Sequence, residues 1–292
     1  MRFTEIGQQL RAYRLESGLR AEEIAARLGV SRAALYRYEK GEVIKLDTIN
    51  RLAELLKISP LSLLGIGVEY YSRPIGYQER LRQMEETADQ ILQIDGPLCY
   101  LTTSDSYDRA LANAFDEAAD DATDPMAARA AAEQVLGILA ARKRMFAIRK
   151  PGIIAIIPMS RLRALIAEGI APGIAMSDRS RRLCRDVALA EVEHVATLME
   201  TEPMGLQFGL LPSIEPTASF QILRSRDRAS LAVNGYLTDT LPSAAPGVAM
   251  ITAADEAIAA HQRVAETLWR EAVKGPAAAR LVRQAASAMA MA

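Results

Sequence analysis

The sequence has only two histidines and two cysteines among its 292 residues, and that scarcity removes most routes to metal chemistry and nucleophilic catalysis. Cys99 and Cys184 lie far apart, at no metal-ligand spacing and in apolar surroundings, and read as two buried free thiols. His194 stands in EVEHVATLME between Glu191 and Glu193, which invites a metal or acid–base role. No second histidine or cysteine stands at ligand spacing, so a histidine on an amphipathic helix is the plainer account. His261 reads the same way. Glycine-rich phosphate loops, nucleophile elbows and zinc spacings are all missing. Long apolar runs are missing too: the longest, Ile153 to Pro158 with its flanks, is far too short to span a bilayer. The opening MRFTEIGQQL lacks a charged-then-apolar leader pattern. These absences lead us to expect a cytoplasmic chain with no membrane partner, metal, cofactor or catalytic set, and therefore not an enzyme.

An excess of charge of one sign is also lacking, since the formal net charge is −1. Its distribution is uneven, however. Residues 1–65 carry 11 Lys/Arg against 8 Asp/Glu, which leaves 24 against 28 for the remainder. A modestly basic module on an acidic body points to a polyanionic partner for the module alone.

Helical periodicity fills residues 3–64, with glycines at 18, 29 and 41 where helices should stop and Pro60 at the first turn of the last short one. This spacing predicts five helices. Gly65, Gly67 and Pro74 mark a boundary, after which 75–94 reads as one amphipathic helix, a linker or dimerisation element with Leu81, Met84, Ala88, Ile91 and Leu92 on one face. From Gly96 the pattern changes. Strands are expected at 97–103, 152–158, 204–212, 219–225, 229–236 and 247–253. Helices are expected at 105–121, 126–147, 159–168, 178–200, 254–274 and 276–291. The fold class expected is α+β multidomain: a helical domain over 1–66, a linker helix in 67–95 and a mixed α/β domain over 96–292.

The stretch GVSRAALYRYEKG (29–41) is the most informative. It follows LRAEEIAARL, and the two helices share an apolar seam through Leu19, Ile24, Ala25, Leu28, Val30 and Leu35. Gly29 permits the left-handed turn between them, and Ser31 is placed to cap the second. With Leu35 and Tyr38 inward, Arg32, Ala33, Tyr36, Arg37 and Lys40 must face out. A major groove admits one helix, arginine can bond guanine edges bidentately, and alanine lets the helix approach closely.

Residues 3–65 resemble the helix-turn-helix domain of the lambda-repressor/Cro (Xre) family. The segments that carry the resemblance are GQQLRAYRLESGL, EEIAARLGVS, LYRYEKGE and LDTINRLAELLKISPLSLL. The resemblance implies that the second helix of the motif lies in the major groove, with Arg32, Ala33 and Arg37 at base edges, Tyr36 beside them, and Ser31 and Lys40 near phosphates. It also implies a structural ion pair between Arg14 and Glu39. The family has Thr/Ser then Gln at the start of its second helix, where this chain has Arg20 and Ala21. Arg20 would replace the lost phosphate contact with a more salt-dependent charge contact.

In the C-terminal region the best ligand candidate is TTSDSYDRA (102–110), where Thr102, Thr103, Ser104, Asp105 and Tyr107 would crowd the carboxyl end of a strand and the start of a helix. Plain helix capping is the competing account. Arg224, Arg226 and Arg228 flank a turn at Asp227, which reads as a solvated turn or, should it fold near 102–107, as a holder of a carboxylate or phosphate; the basic runs at 142–150 and 179–185 read as solvated faces rather than a second nucleic-acid site. The layout is similar to the effector domains attached to some bacterial Xre-type regulators, around TSDSYDRAL and LAEVEHVATLM.

The leading expectation is therefore a transcriptional repressor that binds a double-stranded operator as a homodimer and is modulated by a small-molecule effector. Two alternatives stand beside it. One is a DNA-targeted enzyme acting on a small molecule, and the other is an antitoxin or phage-defence regulator with a protein partner.

Overall fold

Five helices open the chain: α1 (Phe3–Ser17), α2 (Ala21–Leu28), α3 (Arg32–Glu39), α4 (Leu46–Leu56) and α5 (Pro60–Leu63). The computed structural model describes residues 3–94, 96–217, 219–236 and 247–290. The helices close on Leu10, Ile24, Leu35, Leu52 and Leu63, all fully buried, each stabilising the domain by about 1.5–3 kcal/mol. Ser59 caps α5 through the Leu61 and Ser62 N–H groups, and Pro60 occupies its first turn, where no N–H is needed.

The rest of the chain is built on one sheet of eight strands among the described residues, in the order β1-β7-β6-β5-β2-β3-β4-β8. The strands are β1 (Val68–Tyr71), β2 (Gln90–Ile94), β3 (Gly152–Pro158), β4 (Leu206–Leu211), β5 (Phe220–Ser225), β6 (Arg228–Val233), β7 (Ala249–Thr252) and β8 (Val273–Lys274). β2, β3 and β4 run parallel. The helices between them are α7 (Asp105–Asp120) and α8 (Pro125–Arg149), then α9 (Met159–Glu168) and α10 (Asp178–Thr201). The other neighbours are antiparallel. α11 (Asp255–Glu271) and α12 (Gly275–Ala290) close the described chain.

Side chains alternate between the sheet's two faces. Ile91, Ile153, Ala155 and Leu223 join the larger core with α7, α8 and α10. Leu92, Ile94, Ile156 and Ile222 join a smaller one under Ile258, Ala265 and Leu268 of α11. The fold is thus α+β, a helical domain followed by a mixed α/β domain. No helix among the described residues is long and apolar enough to cross a membrane. The expected helix at 276–291 is α12; its last residue lies outside the described ones, as do the first two residues of segment 1–66.

The expected helix over 75–94 is corrected. Helix α6 spans only Pro74–Glu85, and 90–94 is β2, central in the sheet. Two ladders, to β3 and β5, satisfy the backbone of QILQI on both sides. That tertiary pairing overrides a helical period which a short apolar run cannot exclude. α6 is sandwiched between α1 and α8, which explains its buried Glu79, Arg80, Gln83 and Glu85.

The expected strand at 97–103 is also corrected. It is a tight 3-10 turn over Tyr100–Thr102. Pro97 removes a donor, while the Thr102 N–H and hydroxyl both donate to the Cys99 carbonyl, satisfying the backbone without a strand partner. Strand β1, inside the expected linker 67–95, pairs with β7 at the sheet edge.

The helical domain is joined to this sheet by more than the chain. Gln9 donates to Glu69 (2.6 Å), Arg11 to Glu79 (2.7 Å) and Gln83 to the Gln8 carbonyl (3.1 Å). Tyr13 stacks on Tyr71 with ring centroids 5.4 Å apart. Gly76 lets α1 approach α6, since a Cβ there would stand 2.7 Å from the Glu16 carboxylate.

Candidate nucleic-acid interface and interior cavity

The turn between α2 and α3 is fixed by backbone chemistry. Gly29 adopts a left-handed conformation (φ 71°), and the Val30 N–H closes on the Ala25 carbonyl at 3.0 Å. The Ser31 hydroxyl accepts from the Ala34 N–H at 3.1 Å and caps α3. At the start of α2, Glu23 accepts from the Arg20 N–H and pairs with its guanidinium, both at 3.0 Å.

Ile24, Ala25, Leu28, Ala34 and Leu35 are buried in the seam, while Arg20, Ser31, Arg32, Ala33, Arg37 and Lys40 are exposed and Tyr36 is half-buried. α3 therefore presents two arginines around a small residue. Neither arginine is idle in the free protein. Arg32 pairs with Glu22 at 2.7 Å and donates to the Tyr36 hydroxyl at 3.2 Å. The Tyr36 bond and then the Glu22 charge hold its guanidinium protonated more firmly than usual. Arg37 pairs with Glu42 at 3.1 Å. All these charges are exposed, so the pairs are weak and exchangeable.

Arg14 and Glu39 form a buried two-point ion pair (2.5 and 3.1 Å) that ties α1 to the end of α3. Burial works against the Arg14 charge, but the Glu39 hydrogen bonds and charge outweigh it and raise the Arg14 pKa above its ordinary value.

A cavity of about 500 Å³ opens at the carboxyl end of β2, walled by α6, α7, α8 and α9. Of the residues singled out at 102–107, Tyr107 lines it. Burial, then the Asp108 charge, pushes the Tyr107 pKa up to about 12, so its hydroxyl is neutral. The others are engaged locally. Thr102 and Thr103 donate to the Cys99 and Tyr100 carbonyls, Ser104 caps α7, and Asp105 is exposed at its start.

Glu191 and His194 do converge on this segment. The Ser104 N–H and hydroxyl both donate to buried Glu191, and His194 Nε2 lies 3.0 Å from the Thr102 carbonyl. Glu193 pairs with Arg283 instead (2.9 Å). His261 Nδ1 lies 2.8 Å from the Ala257 carbonyl, with its ring edge-on to Phe220. Arg224 pairs in register with Gln90, at the opposite end of β2 from the cavity, and Arg226 and Arg228 are exposed beyond it. Among the described residues no cluster of three His, Cys, Asp or Glu is placed to hold a metal ion.

Sequence reasoning missed the residues that shape this cavity. Arg142, read as part of a solvated basic run, is buried between α8 and α6, where it holds Glu85 (2.7 and 2.8 Å) and Gln78 (2.5 Å). Gln93 and Gln221 face each other across β2 and β5 and both line the cavity. The available signal was a polar residue two positions from Ile91 and from Leu223, in registers otherwise facing the core.

Comparison with known proteins agrees with the head. Residues 5–63 match the model of a helix-turn-helix domain family, so the chain carries such a domain. No curated protein matches the chain. A solved structure of TrmBL2, an archaeal chromatin protein with a novel mode of DNA binding, aligns with a TM-score of 0.33 and 10% identity. That alignment covers 78% of this chain and 61% of the TrmBL2 chain. This chain thus spans less than two thirds of TrmBL2's length, and a likeness of that degree fixes no feature of function.

Proposed function

We propose that the chain is a sequence-specific DNA-binding transcriptional regulator, a dimeric repressor whose C-terminal domain takes a small effector. The observation that carries this reading is the outward face of α3, with Arg32 and Arg37 exposed around Ala33 on a capped helix-turn-helix scaffold. In the docked state the two guanidiniums leave Glu22 and Glu42 for base edges. Ser31, Lys40 and Arg20 meet phosphates, which set register. As a dimer, two such helices would reach half-sites about 34 Å apart. An effector changes occupancy only insofar as it binds one arrangement of the heads better than another.

The test is selection of duplexes from a random library, followed by titration of the winner. Each bidentate arginine contact contributes about 1–3 kcal/mol of discrimination. Arg32→Ala/Arg37→Ala should therefore bind the selected duplex between about thirtyfold and ten-thousandfold more weakly, with an unchanged melting curve. Equal affinity in the double variant would remove α3 from the groove.

A second reading, an enzyme directed to DNA by its head, has one observation on its side: Glu191 and His194 meet at 102–104. Their polar atoms there serve helix α7 and a backbone carbonyl, so the regulator reading is preferred.

A further inference from the structure

Gln93 stands in the middle of the sheet with 6% of its surface exposed and lines the cavity; its backbone is paired in two ladders, but its side-chain amide makes no hydrogen bond among the described residues. A primary amide held in a largely buried wall, with its N–H₂ and carbonyl turned to the cavity and to no protein partner, leaves a donor and an acceptor for whatever fills that space. A ligand that offers an acceptor and a donor side by side pairs with both. Gln221 lies directly across on β5 and widens the same polar floor.

Much of the remaining wall is apolar, with Leu81, Leu98, Leu111, Phe115 and Val135 contributing, and Tyr107 and Asn234 add further neutral polar groups. The charges that reach it are answered or wet. Arg142 is held by Glu85 and Gln78, Arg161 by Glu215 and Ser219, and Glu168 is exposed to solvent. Among the described residues an anion would find no free buried cation in this wall, and a cation no free buried carboxylate. The volume suits an ordinary small-molecule site, mainly apolar with a few polar groups that set orientation.

The cavity also touches the support of the head. Gln78 and Leu81 line it from α6, and Glu79 and Gln83 of the same helix hold α1 through Arg11 and the Gln8 carbonyl. We propose that this cavity is the effector site, and that its ligand is a neutral, mainly apolar molecule whose amide-like group pairs with Gln93 and whose body bears on α6. The effector role rests on the reading of the chain as a DNA-binding regulator.

The full chain is titrated calorimetrically with hexanamide, benzamide and caprolactam, beside hexanoate, benzoate and hexylamine. The amides are expected to bind, and their charged counterparts to bind at least about tenfold more weakly. Gln93→Leu, with its fold checked by its melting curve, should lose about tenfold in amide affinity. Leu111→Trp, which fills the cavity, should abolish binding. A preference for a charged probe, amide binding indifferent to Gln93→Leu, or no binding across the set would each overturn the proposal. So would amide binding that leaves affinity for the selected duplex unchanged. Failure of the regulator reading registers separately: Arg32→Ala/Arg37→Ala would then bind duplex as well as the parent, whatever the amides do.

Discussion

Replacing Glu69 by glutamine should detach the helical head from the sheet energetically while leaving the shape of the site almost unaltered. The Glu69 carboxylate is buried in β1 and accepts from Gln9 (2.6 Å), the Tyr71 hydroxyl (2.7 Å) and Arg80 (2.9 and 3.1 Å). Burial disfavours its charge, but the Arg80 charge and the hydrogen bonds from Arg80, Tyr71 and Gln9 together outweigh burial and hold its pKa below the ordinary value of 4.5. Arg80 is buried as well, and a guanidinium is too strong a base to shed its proton at ordinary pH even when its partner becomes neutral. Leaving one charge of a buried pair unanswered costs about 3–5 kcal/mol, a large share of a domain stability of roughly 5–15 kcal/mol. Glu69→Leu/Arg80→Met removes both charges and should recover most of that loss.

Urea unfolding followed by helical circular dichroism and by the single tryptophan, Trp269 in α11, reports the head and the sheet together. The two signals should coincide in the parent and separate in Glu69→Gln, as the head loosens first. The sign of the pH dependence follows from the lowered pKa. With the folded value below the unfolded one, the contribution of Glu69 is complete above pH 4.5 and fades as pH falls through the folded value. The gap between parent and Glu69→Gln should close in acid. A loss under about 1 kcal/mol, or a double variant no more stable than the single one, would refute the reasoning.

Four further outcomes are expected. Ser31→Ala should cost about 1 kcal/mol through the lost Ala34 cap, and Gly29→Val about 1–2 kcal/mol because φ is +71° there, both read from urea midpoints. Arg20→Ala should lower the slope of log affinity against log salt by about one, uniformly across duplex sequences, in a filter-binding series. Burial pushes the Cys99 thiol up to about 11, so its labelling by an aromatic disulfide at about pH 8 should be far slower in the folded chain than in urea; equal rates would contradict its burial.

The head was legible in the sequence because each of its signals is local. Gly29, Ser31 and the seam through Ile24, Leu28 and Leu35 determine the turn, the cap and the buried side with no reference to distant residues. The strands at 152–158, 219–225 and 229–236 were legible too, as apolar runs bounded by turn residues. QILQI was not, since what makes it a strand is pairing with residues about 60 and 130 positions away, and its spacing alone fits a helix equally well. Residues 97–103 failed for the opposite reason, because two threonine hydroxyls satisfy a backbone that its apolar content suggested would be in a sheet. The cavity needed the fold itself: Gln93, Gln78 and Arg142 lie on three elements that only the assembled sheet brings together.

Arg32 rests on Glu22 and Arg37 on Glu42. On the proposed reading, the free head thus carries its own decoys, with carboxylates standing where a guanine edge or a phosphate would stand. Leaving them costs little and costs the same on every duplex, so the pairs lower affinity for all sequences alike. Discrimination is left to the base edges that the freed guanidiniums reach, and the carboxylates keep both side chains extended over the helix face until DNA takes their place.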